Sequence, residues 1–400
     1  MNQSLPSSTG VVGEGRIAKT TLYYLTFIAL GLCTASFGPT LPGLAAHTQS
    51  RISDVSFLFT ARSIGYFLGS LLAGRLFDRY RGHVVLAGGL ALMVIMLALT
   101  PVIPMLWVLT IVLAVLGVAE SFVDVGNNSM LVWVHRAGVA PFMNGLHFFF
   151  GVGAFISPII IAQVLLATGD ITWAYWVLAL IIAPTIVLVL RLPSPKALPS
   201  SSHPAGDAVN YVLVGLVVLF FFLYVSAEVG YAGWIYTYAV KLGLTDQVNA
   251  AYLTSTFWVA LTIGRLLSVF IATRFSPRAV LTADLTGCVV SVLIALAFPT
   301  SLTAIWIATF GLGIAMASIF PTTLSFAERR MHMSAKVNSW FFAGSAAGSM
   351  LVPWLIGVLF EAVGPQVVIH VVAVAMGLAV LDYIALLRYT KGSDHAALHH

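Results

Sequence analysis

The chain has 400 residues, 60% of them hydrophobic and 8% charged, with a formal net charge of +5 and a mean hydropathy of +0.99. A water-facing surface carries about a quarter charged residues, so this composition excludes soluble enzymes, nucleic-acid binders and disordered scaffolds and predicts a chain solvated by lipid. Cys33 and Cys288 sit in apolar runs and imply no disulfide framework.

A bilayer-crossing helix takes roughly 20 apolar residues, and residues 1–15 are polar with no apolar run before the first such stretch, so no cleaved leader is expected. Twelve spans are predicted, at 20–45, 52–77, 84–101, 103–133, 139–167 and 172–191, then 209–241, 247–274, 278–298, 301–330, 334–361 and 364–388. Phe320-Pro321 marks an expected kink in the tenth. Between the sixth and seventh spans, residues 192–208 are rich in Pro and Ser and read as a linker. The expected organisation is a polar tail (1–19), a six-helix bundle (20–191), the linker (192–208), a second six-helix bundle (209–388) and a C-terminal tail (389–400). The fold class is therefore an all-α membrane protein.

Basic residues orient it. If the N-terminus is cytoplasmic, the inside receives Arg16, Lys19, Arg75, Arg79, Arg81, Arg136, Arg191, Lys196, Arg274, Arg278, Arg329, Arg330, Lys336, Arg388 and Lys391. Arg51 and Lys241 fall outside, and Arg62 and Arg265 fall within spans. Both termini are expected in the cytoplasm of a cell-membrane protein. The halves also match at an offset of 195 positions: Gly38 with Gly233, Gly69 with Gly264, Arg79 with Arg274, Gly153 with Gly348 and Pro158 with Pro353. Two like-oriented six-helix halves predict a cavity between them near the midplane.

The loop after the second span reads Gly74-Arg75-Leu76-Phe77-Asp78-Arg79. It resembles the G-x-L-x-D-R signature of the major facilitator superfamily, in the loop where that family carries it. The resemblance implies twelve helices in two pseudo-symmetric bundles and a gate in which Gly74 permits close helix approach and Asp78 and Arg79 take part in latching the cytoplasmic side. The second half carries a decayed copy, with Thr273 at the position of Asp78. The stretches Asp124-Val125-Gly126-Asn127-Asn128, Asn144-Gly145-Leu146-His147 and Glu228-Val229-Gly230-Tyr231-Ala232-Gly233-Trp234 are similar to the sodium-dependent glucose transporter 1 and fucose permease branch. That branch implies a hexose-like solute coupled to a cation.

Ionisable groups inside a bilayer are costly, and each is a functional candidate. Glu120, Asp124 and Asn128 stand at i, i+4 and i+8 on one face of the fourth span, beside Asn127. Depth counting puts His147 of the fifth span level with Asn127, within reach of Asp124 or Asn128. Glu120 and Asp124 are read as ion-coupling residues, with sodium possible near Asp124. Asn127, Asn128 and His147 are read as solute contacts, although the same cluster could simply pin two helices together. Glu228, Tyr231 and Trp234 in the seventh span, and Asn338 and Trp340 in the eleventh, complete the expected binding set, while Tyr236 and Tyr238 read as interfacial aromatics. Arg62 needs an anion, which could be Glu120, Glu228 or a substrate carboxylate. Arg265 and Asp284 are expected to form a structural salt bridge. No nucleophile set, metal motif, Walker loop or dinucleotide fingerprint appears, so no enzyme activity and no cofactor are expected. The expected partners are a small sugar-like molecule and the bilayer, with no nucleic acid, and a monomer is expected. The competing readings are a proton-coupled exporter of drugs or organic acids on the same fold and a non-transporting receptor or sensor.

Overall fold

The computed structural model describes residues 8–196, 210–331 and 335–397. Within it are twelve helices long and apolar enough to cross a membrane: α1 (Gly15–His47), α2 (Ile52–Arg79), α3 (Gly82–Val102), α4 (Leu106–His135), α5 (Ala140–Thr168), α6 (Ile171–Arg191), α7 (Tyr211–Lys241), α8 (Gln247–Ala272), α9 (Pro277–Ala297), α10 (Leu302–Glu328), α11 (Val337–Val363) and α12 (Val367–Thr390). Most of the expected linker, residues 197–208, lies outside the described residues.

Local chemistry sets the helix ends. Asp170, Asn210, Asp246, Ser276 and Ser301 each accept a backbone N–H of the following first turn, satisfying donors that a helix start leaves unpaired. Outside the bilayer, the Asn249 amides hold the Asp246 carboxyl below the usual carboxylate range. The kink in α10 falls at Ala317 and Ser318, where the helix is interrupted. The ring of Pro321 clashes with the carbonyl four residues earlier, which belongs to Ala317, so the break lies one turn ahead of the proline.

In the first half α1 packs on α5, α2 on α4, and α3 on α4 and α6; the second half repeats this with α7 on α11, α8 on α10, and α9 on α10 and α12. The halves meet through α5 against α8, α2 against α11, and α1 against α7. The sequence offset is visible in the packing. A Cβ on Gly69 would meet Ser121 and Val118 of α4, and one on Gly264 would meet Ala317 and Ile314 of α10, the corresponding places. Gly38 lies against Gly233 itself, with a Cβ there 3.0 Å from the Gly233 carbonyl. A residue can touch its own repeat mate only beside the pseudo-two-fold axis, so this contact places the axis between α1 and α7.

An even number of spans puts both chain ends on one face, called here the terminal face; the α1–α2 and α7–α8 connections lie on the opposite face. The outer surface of the bundle carries large exposed apolar side chains such as Leu68, Leu71, Trp107, Leu180, Phe270 and Leu381, the surface that a bilayer would cover.

Candidate functional site

The site begins with the close approach of α2 and α4. A Cβ on Gly65 would overlap the Ala114 carbonyl, and one on Gly117 would overlap the carbonyl of Arg62. With the two backbones touching, polar side chains of α2 and α4 meet directly. The Arg62 guanidinium grips Glu120 with two N–H groups, Nε donating to Oε2 at 2.7 Å and Nη2 to Oε1. The side chains are 13% and 4% exposed. Thr34 of α1 donates to Glu120 Oε1 at 3.1 Å, and its carbonyl accepts from Arg62 Nη1 at 3.4 Å. The partner of Arg62, open among three anions in the sequence, is Glu120.

One turn nearer the terminal face a second rung forms. The Tyr66 hydroxyl donates to Asp124, and Asn128 Nδ2 donates to Asp124 Oδ1 at 2.8 Å. Because α2 and α4 run parallel, a step of four residues in each helix moves a matched pair along by about one turn. Arg62-x-x-x-Tyr66 beside Glu120-x-x-x-Asp124 carries that signal in the sequence, but Tyr66 and Thr34 are uncharged and so are not marked by the cost of burying a charge. Asn127 turns the other way: it is fully buried, accepts from Thr26 of α1 at 2.7 Å and donates to the Val123 carbonyl at 2.7 Å. Asn127 therefore pins α4 to α1 in this structure.

His147 does not reach Asp124 or Asn128 by any hydrogen bond among the described residues. Its ring is exposed and meets Phe27 edge-on at 5.8 Å. Its charged neighbour is Arg265 of α8, in the other bundle. Arg265 also feels the carboxylate of Glu228 on α7, beside which stands Tyr224. The charge of Arg265 thus acts on a group in each bundle, and among the described residues no ion pair joins it to Glu228. The expected Arg265–Asp284 bridge is absent among the described residues. Asp284 accepts from Ser318 at 2.5 Å instead, because the interruption of α10 presents that hydroxyl to α9.

Trp234 and Tyr231 take packing positions. Trp234 is fully buried, stacked between Phe59 at 5.9 Å and Phe360 at 5.4 Å, with Nε1 donating to the Pro353 carbonyl at 3.0 Å. Tyr231 is 2% exposed, its hydroxyl 2.7 Å from that of Thr309. Tyr236 and Tyr238 are buried as well, and Tyr238 donates to the Pro299 carbonyl at 2.7 Å, so neither is an interfacial aromatic. Asn338 is half-buried and Trp340 is 55% exposed, both within a turn of the terminal-face end of α11 and far from the depth of Asp124. Gly74 has open space where a Cβ would stand, so it supports no close helix approach in this structure. Asp78 and Arg79 are exposed and form no ion pair among the described residues.

The contacts between bundles explain that last observation. Toward the opposite face, Ser56 Oγ donates to the Trp354 carbonyl at 3.3 Å, Ser53 N to Glu361 at 3.4 Å, and Thr60 to the Met350 carbonyl at 3.1 Å. Gln163 donates to the Tyr252 hydroxyl, and Ser255 to the Phe155 carbonyl at 2.6 Å. Among the described residues every such bond lies at mid-depth or beyond it on that side. Among the described residues no hydrogen bond or ion pair joins the bundles at the terminal face, where Asp78 and Arg79 are exposed.

A profile of the Major Facilitator Superfamily matches residues 23–343. The chain belongs to that superfamily. Sodium-dependent glucose transporter 1 of Danio rerio is 31% identical over 378 residues, covering 84% of this chain and 63% of that protein, so this chain spans less than two thirds of that relative. The human protein of the same name is 28% identical over 372 residues, covering 84% of this chain and 72% of its own length. A solved structure of a point mutant of the nucleoside transporter NupG superposes with a TM-score of 0.73 over 93% of this chain and 99% of that one, at 14% identity, a likeness of fold. Its twelve long apolar helices fit a multi-pass membrane protein of that superfamily.

Proposed function

We propose that this transporter carries a hexose or related sugar together with a cation, sodium or a proton, by alternating access. In this reading the terminal face, which carries most of the basic residues, is cytoplasmic, and the structure corresponds to an inward-facing state. One observation carries the coupling assignment. Of the three mid-depth carboxylates on helices bordering the gap, Glu120 faces Arg62 and Glu228 has Arg265 nearby, while Asp124 is held only by the neutral groups of Tyr66 and Asn128. An uncompensated carboxylate in a low-dielectric site calls for a cation or a proton. Arg62 already pairs with Glu120 and Arg265 acts on Glu228, so neither embedded arginine calls for an anionic substrate, which favours a neutral solute over an organic acid.

In this mechanism the cation neutralises Asp124, with the Tyr66 and Asn128 oxygens as further ligands. The solute binds between His147 on one bundle and Arg265 and Glu228 on the other, the groups that change distance when the bundles rock. Both ligands favour the same closed state, and their coupling free energy is the difference in affinity between states. Asp78 and Arg79 meet their partners only when the cytoplasmic side closes. The relatives named sodium-dependent glucose transporter 1 support the choice of sugar and ion.

The test is uptake of radiolabelled glucose into proteoliposomes under a sodium gradient, a proton gradient or neither. Accumulation under one gradient that disappears in Asp124→Asn, with exchange retained, is the expected result. Glucose flux that ignores both gradients removes the coupling role, and counterflow by another solute with none by glucose removes the sugar.

A further inference from the structure

A cavity of about 360 Å³, lined by residues of the first bundle and the linker, opens on the terminal face. Arg16 and Lys19 of α1, Arg136 beyond the end of α4, and Lys196 of the linker converge on it, with Trp133 as its aromatic wall. Among the described residues no carboxylate lines it and none of the four basic side chains forms an ion pair. Four like charges drawn together in this way repel unless an anion joins them. The linker is not there by accident of a loose loop. His83 donates its backbone N–H to Ser194 Oγ at 3.0 Å, its ring Nδ1 is 2.7 Å from the Leu192 carbonyl, and its Nε2 is 2.9 Å from the Tyr23 hydroxyl. This strap brings Lys196 beneath α1 and α4.

We propose that this cavity binds the phosphate of an anionic lipid from the adjoining leaflet, and that the bound lipid ties the linker to the first bundle. A phosphate accepts several charge-assisted hydrogen bonds at once, which suits two guanidinium and two ammonium groups. An indole such as Trp133 is at home at headgroup level, and Val134 adds apolar lining beside it. The site is separate from the transport path, so it stands or falls independently of the solute assigned above.

The test titrates dioctanoyl phosphatidic acid into the full-length protein purified in a neutral detergent. Arg16→Gln combined with Lys196→Gln weakens binding about 25-fold, at roughly fivefold for each basic residue near a headgroup, and Lys196→Gln alone about fivefold. Arg274→Gln combined with Arg388→Gln, exposed basic residues of the other bundle, stays within about twofold, and binding weakens as salt is raised. Melting curves of each variant verify that it remains folded. Equal binding by wild type and the Arg16/Lys196 double variant overturns the site. Inorganic phosphate binding as tightly as the lipid, or dioctanoyl phosphatidylcholine doing so, overturns the anionic lipid as ligand.

Discussion

The pair Arg62–Glu120 gives the sharpest test of the central geometry. Glu120→Gln keeps the shape of the side chain, and its amide oxygen can still accept from Thr34, but it removes the charge that faces the guanidinium. Glu120 is 3% exposed, so neither partner can turn to water. Breaking a buried pair in this way costs about 3–5 kcal/mol, because the surviving charge stays buried without compensation. For a domain the size of one bundle, 1 kcal/mol moves the melting temperature by about 2–4 °C, so Glu120→Gln lowers it by roughly 6–20 °C. Removing both charges, with Arg62→Met and Glu120→Leu, leaves no buried ion behind and regains most of that loss. Thermal unfolding of wild type, Arg62→Met, Glu120→Leu and their double variant in one detergent closes the double-mutant cycle, with Glu120→Gln measured beside them. If Glu120→Gln melts within about 2 °C of wild type, or the double variant melts below both singles, the pair is not the buried, mutually dependent contact described here.

Asp124→Asn is expected to abolish gradient-driven accumulation while leaving counterflow, measured in proteoliposomes; unchanged accumulation refutes its coupling role. Tyr66→Phe takes one hydrogen bond from the same carboxylate, worth about 1.5 kcal/mol or more to a charged group, and so changes the half-saturating cation concentration by about tenfold. Gly38→Leu forces side-chain bulk against the Gly233 backbone and opens the seal at the opposite face, which thiol labelling of a cysteine placed at Ser53 reports as increased reactivity. Asp246→Ala removes the α8 cap and costs about 1 kcal/mol at pH 7. Since the folded carboxyl titrates below its unfolded value of about 3.9, that difference between variant and wild type is fully present above pH 4 and vanishes as acid protonates the folded state, which melting curves across pH can follow.

Length and hydropathy determined the twelve spans, since each crosses the bilayer within one stretch of chain and obeys its own composition. The fifth span, predicted at 139–167, is Ala140–Thr168 in the structure. The 195-residue repeat likewise survives in sequence because equivalent helices need small residues at equivalent contacts, and Gly69 and Gly264 show this directly. Asp124 and Asn128 were legible as a cluster for the same reason, four residues apart on one helix. Partnerships between helices were not legible at that level. Arg265 lies as near in sequence to Asp284 as an antiparallel hairpin requires, yet the break in α10 gives Asp284 a hydroxyl, and among the described residues Arg265 forms no ion pair with it. Trp234 carries the residue type of a sugar site, but burial between Phe59 and Phe360 makes it part of the seal. Composition and periodicity act along one helix and are written in the sequence. The choice of neighbour depends on helix rotation, on where a proline breaks a span and on which face of the bundles is closed, and those are decided only when all twelve helices pack together.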